Sequence, residues 1–225
     1  MEKEQTFHHF HVQHYCPLAL ALERLGDRWS FLIVRDLKRG PLRFTDLQRY
    51  LAGITPKRLT LDLRALESEG IVQRESEEGR REVWYHLTEK GKGLIPAIEA
   101  LTAWSVENIE RTPFPGETVY PEHMMFMVSI LRNKYGRRLS HPVKWTFDFG
   151  SKGVFTIGFD GEAWSTQQVD APDADVRIQT QPEIWARLLA GPQDEQARLL
   201  ASMSISGEPE RVNEFLASSW SVKRH

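Results

Sequence analysis

The 225-residue chain predicts two domains, a mainly α-helical one followed by an α+β domain with an antiparallel sheet. Apolar residues recur at helical spacing along most of the first half and alternate at strand spacing through much of the second half. Pro113-Phe114-Pro115-Gly116 separates the halves, because proline and glycine continue neither helices nor sheets. We therefore expect domains at residues 1–112 and 120–225, joined by a linker at 113–119.

The composition limits the class of protein. Hydrophobic residues make up 40% of the chain and charged residues 27%, a balance that excludes a wholly disordered chain. There is no apolar run of about 18 residues and no basic-then-apolar leader, so we expect a cytoplasmic protein without membrane insertion. The single cysteine, Cys16, cannot form an internal disulfide, which fits that compartment. A net charge of −2 is too near neutral to indicate a polyanionic partner, yet it is compatible with a local basic surface.

Start and stop signals define the elements of the first domain. Asp27 is suited to cap a helix that begins at Trp29, and Thr45 is suited to cap a short third helix. Thr55-Pro56 is a stronger start signal, since it combines a capping side chain with proline at the first helical position. The predicted helices lie at 17–25, 29–37, 45–51, 56–69 and 88–111, and the predicted strands at 71–75 and 82–87. This order, with a polar turn at 76–80, is typical of a helix-turn-helix followed by a wing.

The second domain has a different pattern of elements. Its predicted strands lie at 143–149, 154–159, 162–168, 176–179 and 202–205, and its predicted helices at 121–135, 182–189, 194–201 and 208–220. Glycines and Asp160-Gly161 stand at the turns between the first strands. Helices and strands that are segregated in this way favour an α+β domain packed on one antiparallel sheet.

The capped helix at 56–69 has two distinct sides. Leu59, Leu63 and Leu66 project to one side, and the opposite side carries Lys57, Thr60, Leu61, Arg64 and Ser68. Between Lys38 and Arg64 the chain has seven Lys and Arg residues against two acidic ones, so the basic excess surrounds this helix. The pattern favours a recognition helix that enters the major groove of DNA. The alternative is a solvated face on which Arg58 and Asp62 form an ordinary i,i+4 ion pair.

Specific DNA contacts follow from the chemistry of these side chains. Lys57, Arg58 and Arg64 are expected to contact phosphates or guanine edges, and Thr60 and Leu61 to lie near base edges and thymine methyl groups. At the hairpin, Arg80 and Arg81 are expected to reach the neighbouring minor groove or backbone.

Five short blocks carry a resemblance to a known family. They are Cys16-Pro17-Leu18, RLGDRW at 24–29, GPLRFTDL at 40–47, GITPKRLT at 53–60 and YHLTEKG at 85–91. In this order, over about residues 15–105, they resemble the HxlR family of bacterial winged-helix transcriptional regulators. The resemblance implies a homodimer, held by its terminal helices, that binds a two-fold-related operator in double-stranded DNA. It places Thr55, Lys57, Arg58, Thr60 and Arg64 on the recognition helix, and Arg43 in the preceding block completes the expected contacts.

Cys16 and the histidines near the N-terminus are candidate chemical sites. The resemblance makes Cys16 a candidate redox residue, while a half-buried structural thiol at a dimer contact is the favoured alternative, since the chain has no second cysteine. His8, His9, His11 and His14 lack an accompanying ligand cluster, so we expect no metal. No cofactor is expected either. No catalytic motif occurs, and the sequence therefore predicts that the protein is not an enzyme.

The second domain carries a weaker resemblance. DADVRI at 173–178, WARLLAG at 185–191 and MSISGE at 203–208 resemble the end of a sterol-carrier-type lipid-binding domain, over about residues 120–222. The resemblance implies a cavity for an apolar small molecule or lipid. The candidate lining residues are Met124, Phe126, Met127, Trp145, Phe147, Phe155, Trp164, Trp185 and Trp220. Apolar residues at these spacings are also typical of a plain core, and that alternative stays open.

Together these observations predict a dimeric DNA-binding transcription regulator whose second domain responds to an apolar ligand. The alternative, from another class, is a lipid or small-molecule carrier whose winged helix mediates protein contacts. Leu94, Ile98, Leu101 and Trp104 recur along the last helix of the first domain, and we expect this stripe to pack against a partner subunit or the N-terminal segment.

Overall fold

The computed structural model describes residues 15–76, 82–109, 111–136 and 139–218. The chain divides into two compact units, Met1–Ile98 and Glu99–His225. This division lies inside a helix, so the segment 113–119 that the sequence suggests as a linker belongs to the second unit. Within the described residues, no helix is both long enough and apolar enough to cross a membrane.

The first unit has the element order of a winged helix-turn-helix. Its helices are α1 (Pro17–Leu25), α2 (Arg28–Leu37), α3 (Phe44–Tyr50), α4 (Pro56–Ser68), α5 (Glu89–Lys92) and the beginning of α6 (Ile95–Asn108). Its strands are β1 (Leu42–Arg43), β2 (Val72–Ser76) and β3 (Val83–Leu87). They form an antiparallel sheet in the order β1-β3-β2.

The strongest capping signals are confirmed. The Asp27 carboxylate accepts a hydrogen bond from the backbone N–H of Trp29 at 2.9 Å, and the Thr55 hydroxyl accepts one from that of Arg58 at 3.2 Å. Beyond the end of α4, Gly70 has φ of 65°, a conformation that glycine adopts without strain. Thr55 therefore marks the start of α4, and Gly70 follows its end, as the sequence predicts.

Two predicted boundaries were wrong. The third helix begins at Phe44 instead of following a Thr45 cap, because the Asp46 carboxylate accepts the backbone N–H of Arg43, at 3.4 Å, and makes Arg43 the capping residue. The helix predicted from Thr88 to about Arg111 is two helices, α5 and α6. Pro96, near the start of α6, has no N–H to donate to the carbonyl four residues back, so a continuous helix cannot form there.

Leucine side chains on one side of α4 hold it in the core of the first unit. Leu59, Leu63 and Leu66 are almost fully buried, as the helical projection predicts, and α4 packs against α2, whose Ile33 and Val34 are fully buried. Burial of each such side chain stabilises the fold by about 1.5–3 kcal/mol. The opposite side of α4 is thereby turned outward.

The second unit is built on a five-stranded sheet. Its helices are α7 (Pro121–Tyr135), α8 (Pro182–Ala190), α9 (Gln196–Ala201) and α10 (Pro209–Ala217). Its strands are β4 (Val143–Asp148), β5 (Val154–Phe159), β6 (Trp164–Gln167), β7 (Val176–Gln179) and β8 (Ser204–Gly207), in the order β6-β5-β4-β7-β8.

The prediction of an antiparallel sheet was wrong in one central pair. Strands β4 and β7 are parallel, with Trp145 opposite Val176, so the sheet is mixed. The segment 168–175 does not turn back as a hairpin but runs along the outer face of the sheet, where Thr156 donates a hydrogen bond to the carbonyl of Val169 at 2.8 Å. This crossing delivers β7 to the far side of β4 in the same direction as β4 itself.

Candidate DNA interface

Four exposed or half-buried side chains line the outward side of α4. Lys57, Leu61 and Arg64 are exposed, and Thr60 is half-buried. The Thr60 hydroxyl donates to the carbonyl of Pro56 at 2.8 Å, which leaves its methyl group and an oxygen lone pair for other contacts. The outward side of α4 thus combines two cations, a methyl-bearing hydroxyl and a leucine within three turns of helix.

The two outermost cations of α4 are available for ligands. Neither Lys57 nor Arg64 makes an ion pair or side-chain hydrogen bond with any residue that the structure describes. A cation without a protein partner loses no internal contact when it meets a phosphate, and the release of counterions from DNA then favours binding.

Arg58 has a different environment from its neighbours on α4. Its Nε donates to Asp62 Oδ2 at 2.9 Å, and its Nη2 donates to Asp27 Oδ2. The i,i+4 ion pair weighed as an alternative from the sequence is therefore present. The link to Asp27 has no counterpart in the sequence expectations, which gave Asp27 a capping role alone.

Burial and hydrogen bonding shift the pKa of Asp62 in opposite directions. Burial raises the pKa of Asp62 above its usual value, and the hydrogen bond from Arg58 partly offsets that effect. The hydrogen bond with Asp62 raises the pKa of Arg58, so the guanidinium stays charged. A nearly buried carboxylate is thus compensated by a cation that also reaches a second carboxylate.

The remaining predicted contacts lie at the hairpin side of the unit. The guanidinium of Arg43, on β1, lies 4.6 Å from the ring centroid of Trp84 and 2.8 Å from Glu82 Oε2. These contacts hold Arg43 at the base of the wing, where 43% of its side chain stays exposed. The predicted contacts Arg80 and Arg81 lie outside the described residues, as do the four N-terminal histidines.

The comparisons with known proteins concern this unit. Residues 24–113 match the family described as HxlR-like helix-turn-helix. A helix-turn-helix transcriptional regulator of Methanothermobacter thermautotrophicus is 41% identical over 93 residues, which span 41% of this chain and 71% of that protein. The chain belongs to the HxlR-like helix-turn-helix family. The helix-turn-helix transcriptional regulator YodB of Bacillus subtilis is 37% identical over 109 residues, which span 48% of this chain and 94% of that protein. Among solved structures, the redox regulator HypR in its reduced form is 34% identical over 41% of this chain and 93% of that chain, with a TM-score of 0.40.

Membership of this family settles the general class of the protein. The matched relatives are transcriptional regulators with a helix-turn-helix, which are not enzymes. This HxlR-like chain is accordingly a helix-turn-helix transcriptional regulator and not an enzyme. The match to residues 24–113 includes α2 to α6, so it contains α4 and both strands of the hairpin.

In the second unit, most of the residues considered as a ligand lining pack on one another. Trp145, Phe147 and Trp185 are fully buried, and the rings of Phe147 and Trp185 have centroids 4.5 Å apart. Trp145 lies 5.0 Å from Trp164, centroid to centroid. The set that lies buried in this unit comprises Phe126, Trp145, Phe147, Phe155, Trp164 and Trp185. Met124 and Met127 line a cleft of about 270 Å³ beside α8, and Trp220 lies outside the described residues.

A larger cleft lies on the other face of the sheet. It has a volume of about 700 Å³, and the crossing segment 168–175 forms one wall of it. Thr156, Gly158 and Gln167 on β5 and β6 are among the residues that line the sheet side. No sequence signal indicates this cleft, because strand alternation predicts which residues face outward but not which loop crosses over them.

Cys16 lies immediately before α1 and is half-buried. Its carbonyl accepts the backbone N–H of Leu20 at 3.0 Å, whereas its side chain makes no capping hydrogen bond. Among the described residues, no group of three or more His, Cys, Asp or Glu side chains is arranged to hold a metal ion.

Proposed function

We propose that the protein is a homodimeric regulator that binds double-stranded operator DNA with α4 in the major groove. The observation that carries the proposal is the outward side of α4, where Lys57 and Arg64 pair with none of the described residues while the leucines opposite them anchor the helix in the core. Family membership supports the same assignment.

Each outward residue has a contact suited to its chemistry. Lys57 and Arg64 are positioned for phosphates or guanine edges, and Thr60 and Leu61 for base edges and thymine methyl groups. Thr55 caps the helix, and its position at the N-terminus of α4 favours a phosphate beside it. Arg43, Arg80 and Arg81 complete the proposed interface on the wing side.

The proposed dimer rests on the exposed stripe of α6. Leu101 and Trp104 are 56% and 54% exposed, whereas Ile98 one turn earlier is buried. Large apolar side chains repeated along one helix are typical of a protein interface. A two-fold dimer would place two copies of α4 on half-sites about one DNA turn apart.

The salt dependence of binding tests the DNA interface. A gel-shift titration would use the DNA upstream of the protein's own gene and compare the wild type with the double variant Lys57→Ala and Arg64→Ala. If both cations contact phosphates in both protomers, the slope of log affinity against log salt falls by about 3.6. Lys152→Ala, which removes an exposed lysine of the second unit, is the matched control and should leave the slope unchanged. Absence of any shift by the wild type at low salt would favour the carrier alternative.

We also propose that the second unit is a sensor for a small molecule held in the cleft on the outer face of the sheet. A volume of about 700 Å³ is in the range of small-molecule sites, whereas the aromatic residues on the other face are occupied with one another. The lining includes four aspartates and one lysine, which favours a neutral or cationic amphiphile over a fatty acid. Thermal scans with matched neutral, cationic and anionic amphiphiles test this. Stabilisation by none of them would leave the unit without a sensor role.

A further inference from the structure

The ion pairs of Arg58 connect two separate parts of the helix-turn-helix, α4 and the N-terminus of α2. Asp62 lies one turn further along α4, and its carboxylate is nearly buried, with 4% of the side chain exposed. Asp27 stands before α2, where its Oδ1 caps the helix and its Oδ2 accepts from Arg58. One guanidinium therefore joins the first turns of α4 to the residue that caps α2.

The two carboxylates use different nitrogens of the same guanidinium. Nε of Arg58 donates a hydrogen bond to Asp62 and Nη2 donates one to Asp27, so the planar guanidinium binds both carboxylates at once. A lysine ammonium is a point charge on a flexible stem and reproduces this two-sided geometry poorly. The arrangement therefore needs arginine in particular.

This network constrains a motion that leucine packing leaves open. The leucines of α4 fix its depth against α2, but apolar contacts are not directional and tolerate small rotations and slides of a helix. Asp62 holds the Arg58 guanidinium in place on α4, and the hydrogen bond from Arg58 to Asp27 then restricts the rotation and register of α4 against α2 at the end that carries Lys57, Thr60 and Leu61.

We propose that Arg58 is a positioning residue for the recognition helix, held by Asp27 and Asp62, and that it does not itself contact DNA. This inference rests on the proposed DNA-binding function and deepens it. Under it, the bases are contacted by neighbours of Arg58, while the Asp27–Arg58–Asp62 network holds those neighbours at the angle that the groove requires.

The substitution Asp27→Asn separates an electrostatic role from a positioning role, because the two roles predict opposite changes in DNA affinity. Asp27→Asn keeps an oxygen that can cap α2 and removes a negative charge near a surface that meets DNA. Charge alone would therefore strengthen DNA binding. Loss of the ionic link to Arg58 would instead weaken it, because α4 then samples orientations that do not fit the groove.

The test measures affinity against salt for wild type, Asp27→Asn, Arg58→Ala, Arg58→Lys and the double variant Asp27→Asn with Arg58→Ala. The probe is a duplex of the DNA upstream of the protein's own gene, and Lys57→Ala serves as the phosphate-contact control. We expect Asp27→Asn and Arg58→Ala each to weaken binding roughly tenfold at every salt concentration, with the wild-type slope. The double variant should resemble the single ones, and Arg58→Lys should recover only part of the affinity.

Several outcomes would overturn the proposal. A salt slope that falls for Arg58→Ala by as much as for Lys57→Ala would show that Arg58 contacts a phosphate. Tighter binding by Asp27→Asn, or additive losses in the double variant, would show that the two residues act separately. If Arg58→Ala unfolds in a thermal scan, Asp27→Asn and Arg58→Lys still decide the question. Failure of the proposed function is distinguishable, because then the wild type itself would show no salt-dependent binding.

Discussion

Replacing Trp104 by Ser should dissociate the dimer that the exposed stripe of α6 is proposed to form. Trp104 is 54% exposed, so roughly 100 Å² of a side chain of this size remains to be buried by a partner. At about 25 cal/mol per Å² this corresponds to about 2.5 kcal/mol in each protomer, and to about 5 kcal/mol in a two-fold dimer. Because association also costs side-chain and orientational freedom, we expect the dimer dissociation constant to rise by about two to three orders of magnitude.

Sedimentation velocity over a series of protein concentrations measures that change. Leu216→Ser is the matched control, because Leu216 is a 41% exposed apolar side chain on α10 and not part of the α6 stripe. The control should sediment like the wild type. Unchanged association of the Trp104 variant, or a wild type that stays monomeric at all concentrations, would refute the assignment of this stripe to the interface.

Three further substitutions follow from described contacts. Thr55→Ala removes the cap of α4 and should lower the free energy of unfolding by about 1 kcal/mol, measured by urea denaturation. Burial raises the pKa of Asp62, so the native state keeps the Asp62 proton to higher pH than the unfolded chain does. The free energy of unfolding therefore falls as pH rises through the window above 3.8. Asp62→Asn should flatten this part of the pH profile, measured by urea denaturation. Gly158→Val should abolish any ligand-induced rise in melting temperature without unfolding the protein, because an added Cβ would meet only Val143 O at 3.8 Å and Ser165 Oγ at 4.0 Å.

Local signals in the sequence predicted most of the first unit. Capping by Asp27 and Thr55, and the burial of the leucines of α4, depend on neighbours a few residues apart, so spacing alone reveals them. The Thr45 cap failed on the same scale, because Asp46 offers a competing carboxylate one residue later. Pattern and chemistry together were therefore sufficient for α4 but not for every helix start.

Contacts between residues that are far apart in the sequence could not be predicted from residue spacing. Nothing in the sequence pairs Arg58 with Asp27, which is 31 residues away, and nothing in the alternation of strands gives the parallel placement of β7 beside β4. The aromatic residues of the second unit show a related ambiguity, since the same apolar periodicity suits a core and a cavity lining. Only the ring-to-ring distances show that these side chains fill space with one another.

The parallel pairing of β4 with β7 has a consequence for how the chain folds. Strands β2 and β3 of the first unit are close in sequence and pair as a hairpin. Strand β4, which carries Trp145, can pair with Val176 on β7 only after the whole crossing segment has been placed. Because loop closure precedes the gain from distant contacts, chains with more non-local pairing fold more slowly. The helix-turn-helix should therefore acquire its structure during synthesis well before the second unit does, and the slow phase of refolding should report on the tryptophans of that later sheet.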